Sequence, residues 1–204
     1  MTTQLTQQQI AQIKKVYDIY VYFKTQIMEY NTLYSDSDDM RDLRNKTARD
    51  FFQKLKTFYW ESFFMVISRL LDSHKQFKSE NLSLYILPHI LSQVGCDNES
   101  IVIKGEINDL KIKYESIVFF RKKYLAHYDI DYIVGNKDFN TTTTLDEIQD
   151  FLNEMLILIQ KTQSFLSLER FEGNVCKMGD FKGASELIRV LKKAYSVEQV
   201  TIQK

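Results

Sequence analysis

Residues 117–130 read IVFFRKKYLAHYDI, and this stretch carries the strongest indication of fold in the sequence. It closes a long pattern in which apolar residues recur at helical spacing. That apolar stripe consists of Ile103, Ile107, Leu110, Tyr114, Ile117, Val118, Tyr124 and Leu125. At about 100° per residue, Arg121 falls at the centre of the stripe. We therefore expect an amphipathic helix over about 100–126 with a cation on its apolar side.

Arg121 and His127 are the candidate functional residues of this helix. A guanidinium keeps its charge at neutral pH, and burying it without a partner is costly. Arg121 therefore either forms a salt bridge within the chain, with Asp72 or Glu115 as the candidate partner, or faces a cleft that binds an anion. His127 is either a proton-transfer group or an ordinary histidine at a helix C-terminus, where the helix dipole favours its charged form.

The remaining periodic segments predict an all-α fold. Glycine occurs 6 times and proline once in 204 residues, which favours long helices. The periodicity predicts helices over about 5–34, 39–73, 83–94, 100–126, 144–169 and 182–195, with a polar linker over 75–80 and a loop over 127–143. Thr144 and Glu147 have the spacing of a capping box. The segment 58–71 is apolar nearly all round, so it is either an internal core helix or packs against a second chain. The sequence predicts a bundle of five to six helices.

Composition limits the possible partners and cofactors. Lys and Arg total 27 and Asp and Glu total 27, so any contact with RNA must come from a local patch. The candidate patch is Lys111, Lys113, Arg121, Lys122 and Lys123, which either follows phosphates or is a solvated helix face. With three His and two Cys the sequence predicts no zinc site, and no glycine-rich nucleotide-binding motif is present. We expect no cofactor.

The sequence also predicts the compartment. Two cysteines are too few for a disulfide framework, which favours a reducing environment. The first residues lack a basic segment followed by an apolar one, and no run of about 18 apolar residues occurs. We expect a cytoplasmic protein with no signal peptide and no membrane span.

The motif residues resemble those of a known superfamily. Arg121-Lys-Lys-Tyr-Leu-Ala-His127 fits the Arg-x(4–6)-His motif of HEPN proteins, and Ala-His-Tyr-Asp at 126–129 resembles the Ala-His-x-Asp form of the abortive-infection AbiU-type HEPN proteins. Ile67-Ser-Arg-Leu-Leu-Asp72 and Asn81-Leu-Ser-Leu84 resemble the same group. The resemblance covers about residues 10–170. One position departs from it: many active HEPN ribonucleases carry Asn, Asp or His where this chain has Lys122.

The resemblance implies a metal-independent endoribonuclease of a phage-defence or toxin–antitoxin system. It implies RNA as the substrate and an antitoxin or other regulatory protein as a partner. His127 would transfer protons and Arg121 would stabilise the transition state, with Lys122, Tyr128 and Asp129 in supporting positions. The alternative is a non-catalytic HEPN dimer that binds nucleotide, RNA or protein. A third possibility is a purely structural bundle, in which Arg121 is salt-bridged within its own chain.

The spacing of the motif points to a dimer. Residues six apart on a regular helix lie about 120° apart around its axis, so Arg121 and His127 would not share a face. Either the helix ends before His127, or a second subunit completes the site. HEPN families use a two-fold dimer in which both motifs line one cleft, and two-fold dimers are the commonest oligomers. We therefore predict a homodimer through the motif helix. We expect one HEPN-like domain over 1–204, with a core over about 5–170 and a C-terminal helical extension over about 171–204.

Overall fold

The computed structural model describes residues 4–76, 79–125, 142–171 and 183–202. Seven α-helices account for most of this described part: α1 Gln7–Leu33, α2 Asp38–Leu70, α3 Ile86–Gln93, α4 Asp97–Lys113, α5 Glu115–Phe120, α6 Leu145–Phe165 and α7 Ala184–Ile202. A single π-helical turn, Arg121–Leu125, follows α5 directly. The all-helical prediction is confirmed. The helices number seven in the described residues because the motif helix is divided into α4 and α5.

The helix boundaries follow local chemistry. The predicted capping box opens α6: Thr144 Oγ1 accepts from the Glu147 backbone N–H, and Glu147 Oε2 accepts from the Thr144 N–H. The prediction that this helix runs to about 169 was wrong, because Ser167 adopts a left-handed φ of 53° just after α6 ends. Gly95 ends the segment after α3 with a φ of 85°, as a glycine permits.

Two further features depart from the sequence prediction. Helix α2 is interrupted at Ala48, whose φ of −159° and ψ of 62° are not helical. The predicted linker over 75–80 contains a short antiparallel ladder, β1 Lys75–Gln76 and β2 Ser79–Glu80, with Lys75 opposite Glu80. A backbone hydrogen bond from Asn81 N–H to the His74 carbonyl, 2.7 Å long, continues this pairing by one residue on each side.

The described chain divides into two compact units. Unit 1 comprises Met1–Phe23 and Ser62–Gly173, and unit 2 comprises Lys24–Glu61 and Asn174–Lys204. The core of unit 1 is fully buried and draws on α1 to α4 and α6. Its largest members are Phe23, Phe63, Phe151, Ile13, Ile67, Leu70, Leu71, Leu84, Leu87, Ile90, Leu91 and Ile103. Helix α2 is therefore a core helix over 63–70, which agrees with one of the two interpretations of that apolar segment.

Unit 2 has a smaller core of its own. Leu33, Phe52 and Ala184 are buried together, with Ile188 and Leu191 of α7 packed against them. The aromatic rings of Tyr30, Tyr34, Tyr59 and Trp60 lie beside one another in the same unit, at centroid distances of 4.9 to 6.4 Å. Through the described residues of the chain, no helix combines the length and apolar character needed to cross a membrane.

Candidate active site

Tyr114 separates α4 from α5 and contacts α6. Its backbone leaves helical geometry, with a φ of −106° and a ψ of 23°. Its hydroxyl lies 3.1 Å from the Glu147 carbonyl, to which it donates, and 3.3 Å from Oε2 of Glu154. Its ring meets Phe151 edge-on at 5.1 Å, and burial together with Glu154 raises the pKa of the phenol. Tyr114 therefore stays neutral and ties the end of α4 to α6.

The π-helical turn that carries Arg121 rests on an aromatic stack. Phe120, the last residue of α5, stacks on Tyr124 at 5.0 Å and meets Phe64 of α2 edge-on at 5.3 Å. Ser68 Oγ, also on α2 and fully buried, lies 3.5 Å from the Ile117 carbonyl. Short π-helical turns within α-helices are frequent at functional sites. The predicted regular helix over 100–126 thus changes its hydrogen-bond pattern at the residue that the motif singles out.

Arg121 lies half-buried with few partners for its guanidinium. The Nη2 atom is 3.8 Å from Oδ2 of Asp72, and the two side chains are 30% and 25% exposed. The two groups are close enough to form an ion pair, but the distance exceeds the length of a hydrogen bond. The Nε atom is buried and has no hydrogen-bond acceptor in the described structure. Of the two salt-bridge partners proposed from sequence, Asp72 is the one that lies near, and the buried Nε donor stays unsatisfied.

The apolar stripe that surrounds Arg121 in the sequence is buried in its first part. Ile103, Ile107, Leu110, Tyr114 and Ile117 are buried, whereas Val118, Tyr124 and Leu125 are half-buried. The apolar residues of the stripe therefore become less buried as the chain approaches the π-helical turn. Lys122 is exposed beside Arg121. The other motif residues, His127, Tyr128 and Asp129, lie outside the described residues.

A pair of histidines that the sequence did not single out as partners lies elsewhere in unit 1. The rings of His74 and His89 are 4.7 Å apart with an angle of 30° between their planes. The Nε2 atom of His74 is buried without a hydrogen-bond partner, and burial followed by the charge of His89 lowers the pKa of His74. Gln93 Nε2 lies 3.0 Å from Nε2 of His89. His74 directly precedes β1 and His89 lies on α3, so residue spacing gave no indication of the pair.

The described residues offer no obvious metal centre. In the ranges that the structure covers, no three side chains from His, Cys, Asp and Glu lie close enough together to hold a metal ion. The charged groups at the π-helical turn include the Arg121 guanidinium, the Asp72 carboxylate and the exposed Lys122 ammonium. This set suits the binding of an anion with several oxygens, because Arg donates to two such oxygens at once.

Comparisons with known proteins identify the family of the chain. No curated protein matches the chain, and no solved structure matches it. The model of the AbiU2 family of HEPN proteins matches residues 1–167, which include α1 to α6, the π-helical turn, Arg121 and His127. That match spans well over half of the 204 residues. Together with the all-helical architecture, it shows that the chain belongs to the AbiU2 family of HEPN proteins.

Proposed function

We propose that this HEPN protein is a metal-independent endoribonuclease that acts in abortive infection or in a toxin–antitoxin system. The state of Arg121 is the observation that carries the proposal. Its guanidinium is half-buried on a π-helical turn, its Nε has no acceptor in the described part of the chain, and its ion pair with Asp72 is 3.8 Å long. A phosphate supplies the additional acceptors that such a guanidinium lacks.

The reaction needs two proton transfers and stabilisation of charge. The ribose 2′-hydroxyl loses its proton as its oxygen bonds to phosphorus, and the bond from phosphorus to the 5′-oxygen breaks as that oxygen gains a proton. The products carry a 2′,3′-cyclic phosphate and a 5′-hydroxyl. His127 suits the proton transfers, since an imidazole titrates near neutral pH. Arg121 suits the phosphorane, whose negative charge grows in the transition state.

The supporting roles are assigned to residues that adjoin Arg121 or His127 in the sequence. Lys122 is exposed next to Arg121 and adds a second cation for the phosphates. Tyr128 and Asp129 adjoin His127 in sequence and would orient its ring. We propose that a homodimer through the motif segment brings His127 of one subunit to Arg121 of the other. We also propose an antitoxin or other regulatory protein as a partner that restrains the activity.

The test compares cleavage by matched variants. Wild type, Arg121→Ala, His127→Ala and Arg170→Ala are each incubated with total RNA in EDTA, and the new ends are analysed for 2′,3′-cyclic phosphate. Arg170 is an exposed arginine that serves as the control for loss of one positive charge. We expect wild type and Arg170→Ala to cut RNA and the two motif variants to leave it intact. Equal cutting by all four proteins would contradict the assignment.

The ion pair with Asp72 favours a second candidate, a HEPN dimer that binds RNA, nucleotide or protein without cleaving. In that case Asp72 serves as the permanent partner of Arg121, and Lys122 stands where many active HEPN ribonucleases have another polar residue. Intact RNA in every tube, including those with wild type, would support this candidate over the nuclease.

A further inference from the structure

A cationic pocket lies in unit 2 at the interruption of α2. Its volume is about 290 Å³. Four cations and two amides dominate its lining: Arg41, Arg44, Arg49, Lys56, Asn45 and Gln53. Of these six residues, three precede the non-helical residue Ala48 and three follow it on the next turns of α2. We call this the α2-break pocket.

The positive charge of the α2-break pocket is largely uncompensated. No carboxylate lines it. Arg41 is paired with Asp38, but within the described residues Arg44, Arg49 and Lys56 have no carboxylate partner at ion-pair distance. The chain as a whole has a net charge of zero, so the excess of positive charge in the pocket is local. A concave site with one sign of charge concentrates ions of the opposite sign.

Arg44 is held in place before any ligand arrives. Its Nη1 donates to the Leu33 carbonyl at 2.6 Å and lies 3.4 Å from the Ser35 carbonyl. These acceptors are neutral, so they orient the guanidinium without cancelling its charge. The side chain is half-buried, and a positioned arginine loses little further freedom when it binds a ligand.

Tyr34 supports two of the cations. Its hydroxyl donates to the Phe52 carbonyl at 2.7 Å, and burial raises the pKa of Tyr34 to about 12, against the lowering effect of Arg44. Arg44 lies 5.4 Å and the Lys56 ammonium 6.0 Å from the centre of its ring. At neutral pH the phenol therefore carries no negative charge that would compete for these cations, and its ring attracts both.

We propose that the α2-break pocket binds phosphate ester groups, supplied by a single strand of RNA or by a free nucleotide. Arginine forks donate to two phosphate oxygens at once, and the amides of Asn45 and Gln53 add hydrogen bonds to ester or sugar oxygens. A pocket of about 290 Å³ is at the small end for ligand sites, which fits one or two phosphate groups and not a large cofactor. The RNA source rests on the proposed function, whereas the nucleotide source does not.

The test measures binding to the full chain in the absence of cleavage. A short labelled RNA with 2′-O-methyl riboses is titrated in EDTA at several salt concentrations, and fluorescence anisotropy gives Kd. The variant is Arg49→Gln with Lys56→Gln, two exposed side chains of the pocket. Each lost phosphate contact on single strands flattens the plot of log K against log salt by about 0.7, so two contacts flatten it by about 1.4. We expect this flattening together with a higher Kd.

The control variant removes the same charge elsewhere. Lys14→Gln with Lys54→Gln also replaces two exposed cations, and neither residue lines the pocket. We expect the control to keep the wild-type salt slope. If both double variants weaken binding equally, the effect is one of general charge and the pocket proposal is wrong.

A second titration identifies the source of the phosphate. ADP is titrated against wild type and both double variants by calorimetry. Binding of ADP but not RNA, weakened only by Arg49→Gln with Lys56→Gln, supports the pocket with a free nucleotide as its ligand. Binding of neither ligand to wild type would overturn the proposal.

The outcome for the pocket is separable from the outcome for the nuclease. If wild type fails to cut unmodified RNA yet binds the 2′-O-methyl RNA through the pocket, the pocket stands and the nuclease proposal falls. If wild type cuts RNA and both double variants bind like wild type, the nuclease stands and the pocket falls.

Discussion

The Nη2 atom of Arg121, on the π-helical turn after α5, lies 3.8 Å from Oδ2 of Asp72, which follows the end of α2 by two residues. The contact is too long for a hydrogen bond, and the buried Nε of the same guanidinium has no acceptor in the described structure. A salt bridge selected for stability would normally satisfy more of the five arginine donors. Under the proposed function, the guanidinium would turn from this position to an anionic ligand.

Asp72→Asn and Arg121→Ala should therefore behave differently. We expect Asp72→Asn to retain RNA cleavage and Arg121→Ala to lose it. Asp72→Asn should change the free energy of unfolding by less than about 1 kcal/mol, because long and partly solvated ion pairs contribute little. Urea denaturation and the cleavage assay measure the two quantities. Loss of cleavage in Asp72→Asn with an unchanged unfolding midpoint would show instead that Asp72 takes part in positioning Arg121 for the reaction.

The capping box at the start of α6 gives a prediction about stability. Thr144→Ala removes the side-chain acceptor of the Glu147 N–H, and the loss of an N-cap typically costs about 1 kcal/mol. Thr142→Ala is the control, since Thr142 is an exposed threonine two residues earlier and outside the box. Urea denaturation should show a lower midpoint for Thr144→Ala alone. A similar loss in both variants would mean that the box does not stabilise α6.

His74 gives a prediction about pH. Burial and the neighbouring charge of His89 lower the pKa of His74 from its usual value of 6.5, so the unfolded chain takes up this proton more readily than the folded one. The stability that neutral His74 contributes is therefore present above about pH 6.5 and is lost as the pH falls toward the lower folded pKa. We expect the urea midpoint of wild type to fall between about pH 7.5 and pH 5.5 by more than that of His74→Gln or His74→Phe.

The two substitutions at His74 control for packing. Phe keeps a ring against His89 and Gln does not, but neither titrates in this range. Both should therefore have a weaker pH dependence than wild type, even if their stabilities at about pH 7.5 differ. A pH dependence equal to that of wild type in both variants would show that His74 is not the source.

The sequence predicted the parts of the fold that depend on local pattern. Apolar periodicity placed α1 within two residues of its observed ends, and the spacing of Thr144 and Glu147 placed the start of α6. These signals are local, because they depend on residues within one or two helical turns. The family could likewise be recognised from the sequence, since the motif is contiguous.

Features set by distant contacts could not be predicted from the pattern. The break at Tyr114 depends on hydrogen bonds to Glu147 and Glu154, more than thirty residues away. The approach of Asp72 to Arg121 depends on how α2 packs against α5, and the sequence left Asp72 and Glu115 as equal alternatives. The interruption of α2 falls on Ala48, although alanine is the best helix former, and nothing in the structure explains it.

The core of unit 1 gives a prediction about the apolar segment of α2. Phe63 is fully buried and lies 5.7 Å from the ring of Phe23, whereas Phe58 on the same helix is 63% exposed. Phe63→Ala should lower the free energy of unfolding by about 3 to 5 kcal/mol, because it leaves a cavity. Phe58→Ala should change it by less than about 0.5 kcal/mol. A large loss at Phe58 that depends on protein concentration would indicate that this side chain packs in a dimer.

Mixing two inactive variants tests whether the proposed site is shared between subunits. Arg121→Ala supplies an intact His127, and His127→Ala supplies an intact Arg121. If each site takes Arg121 from one subunit and His127 from the other, every mixed dimer contains one complete site. Half of the dimers in an equal mixture are mixed, and one of their two sites is intact, so we expect about a quarter of wild-type cleavage. If both residues of a site come from one subunit, neither half of a mixed dimer is complete and the mixture stays inactive. That result, with dimers confirmed by light scattering, would place each site within a single chain and leave the dimer without a catalytic role.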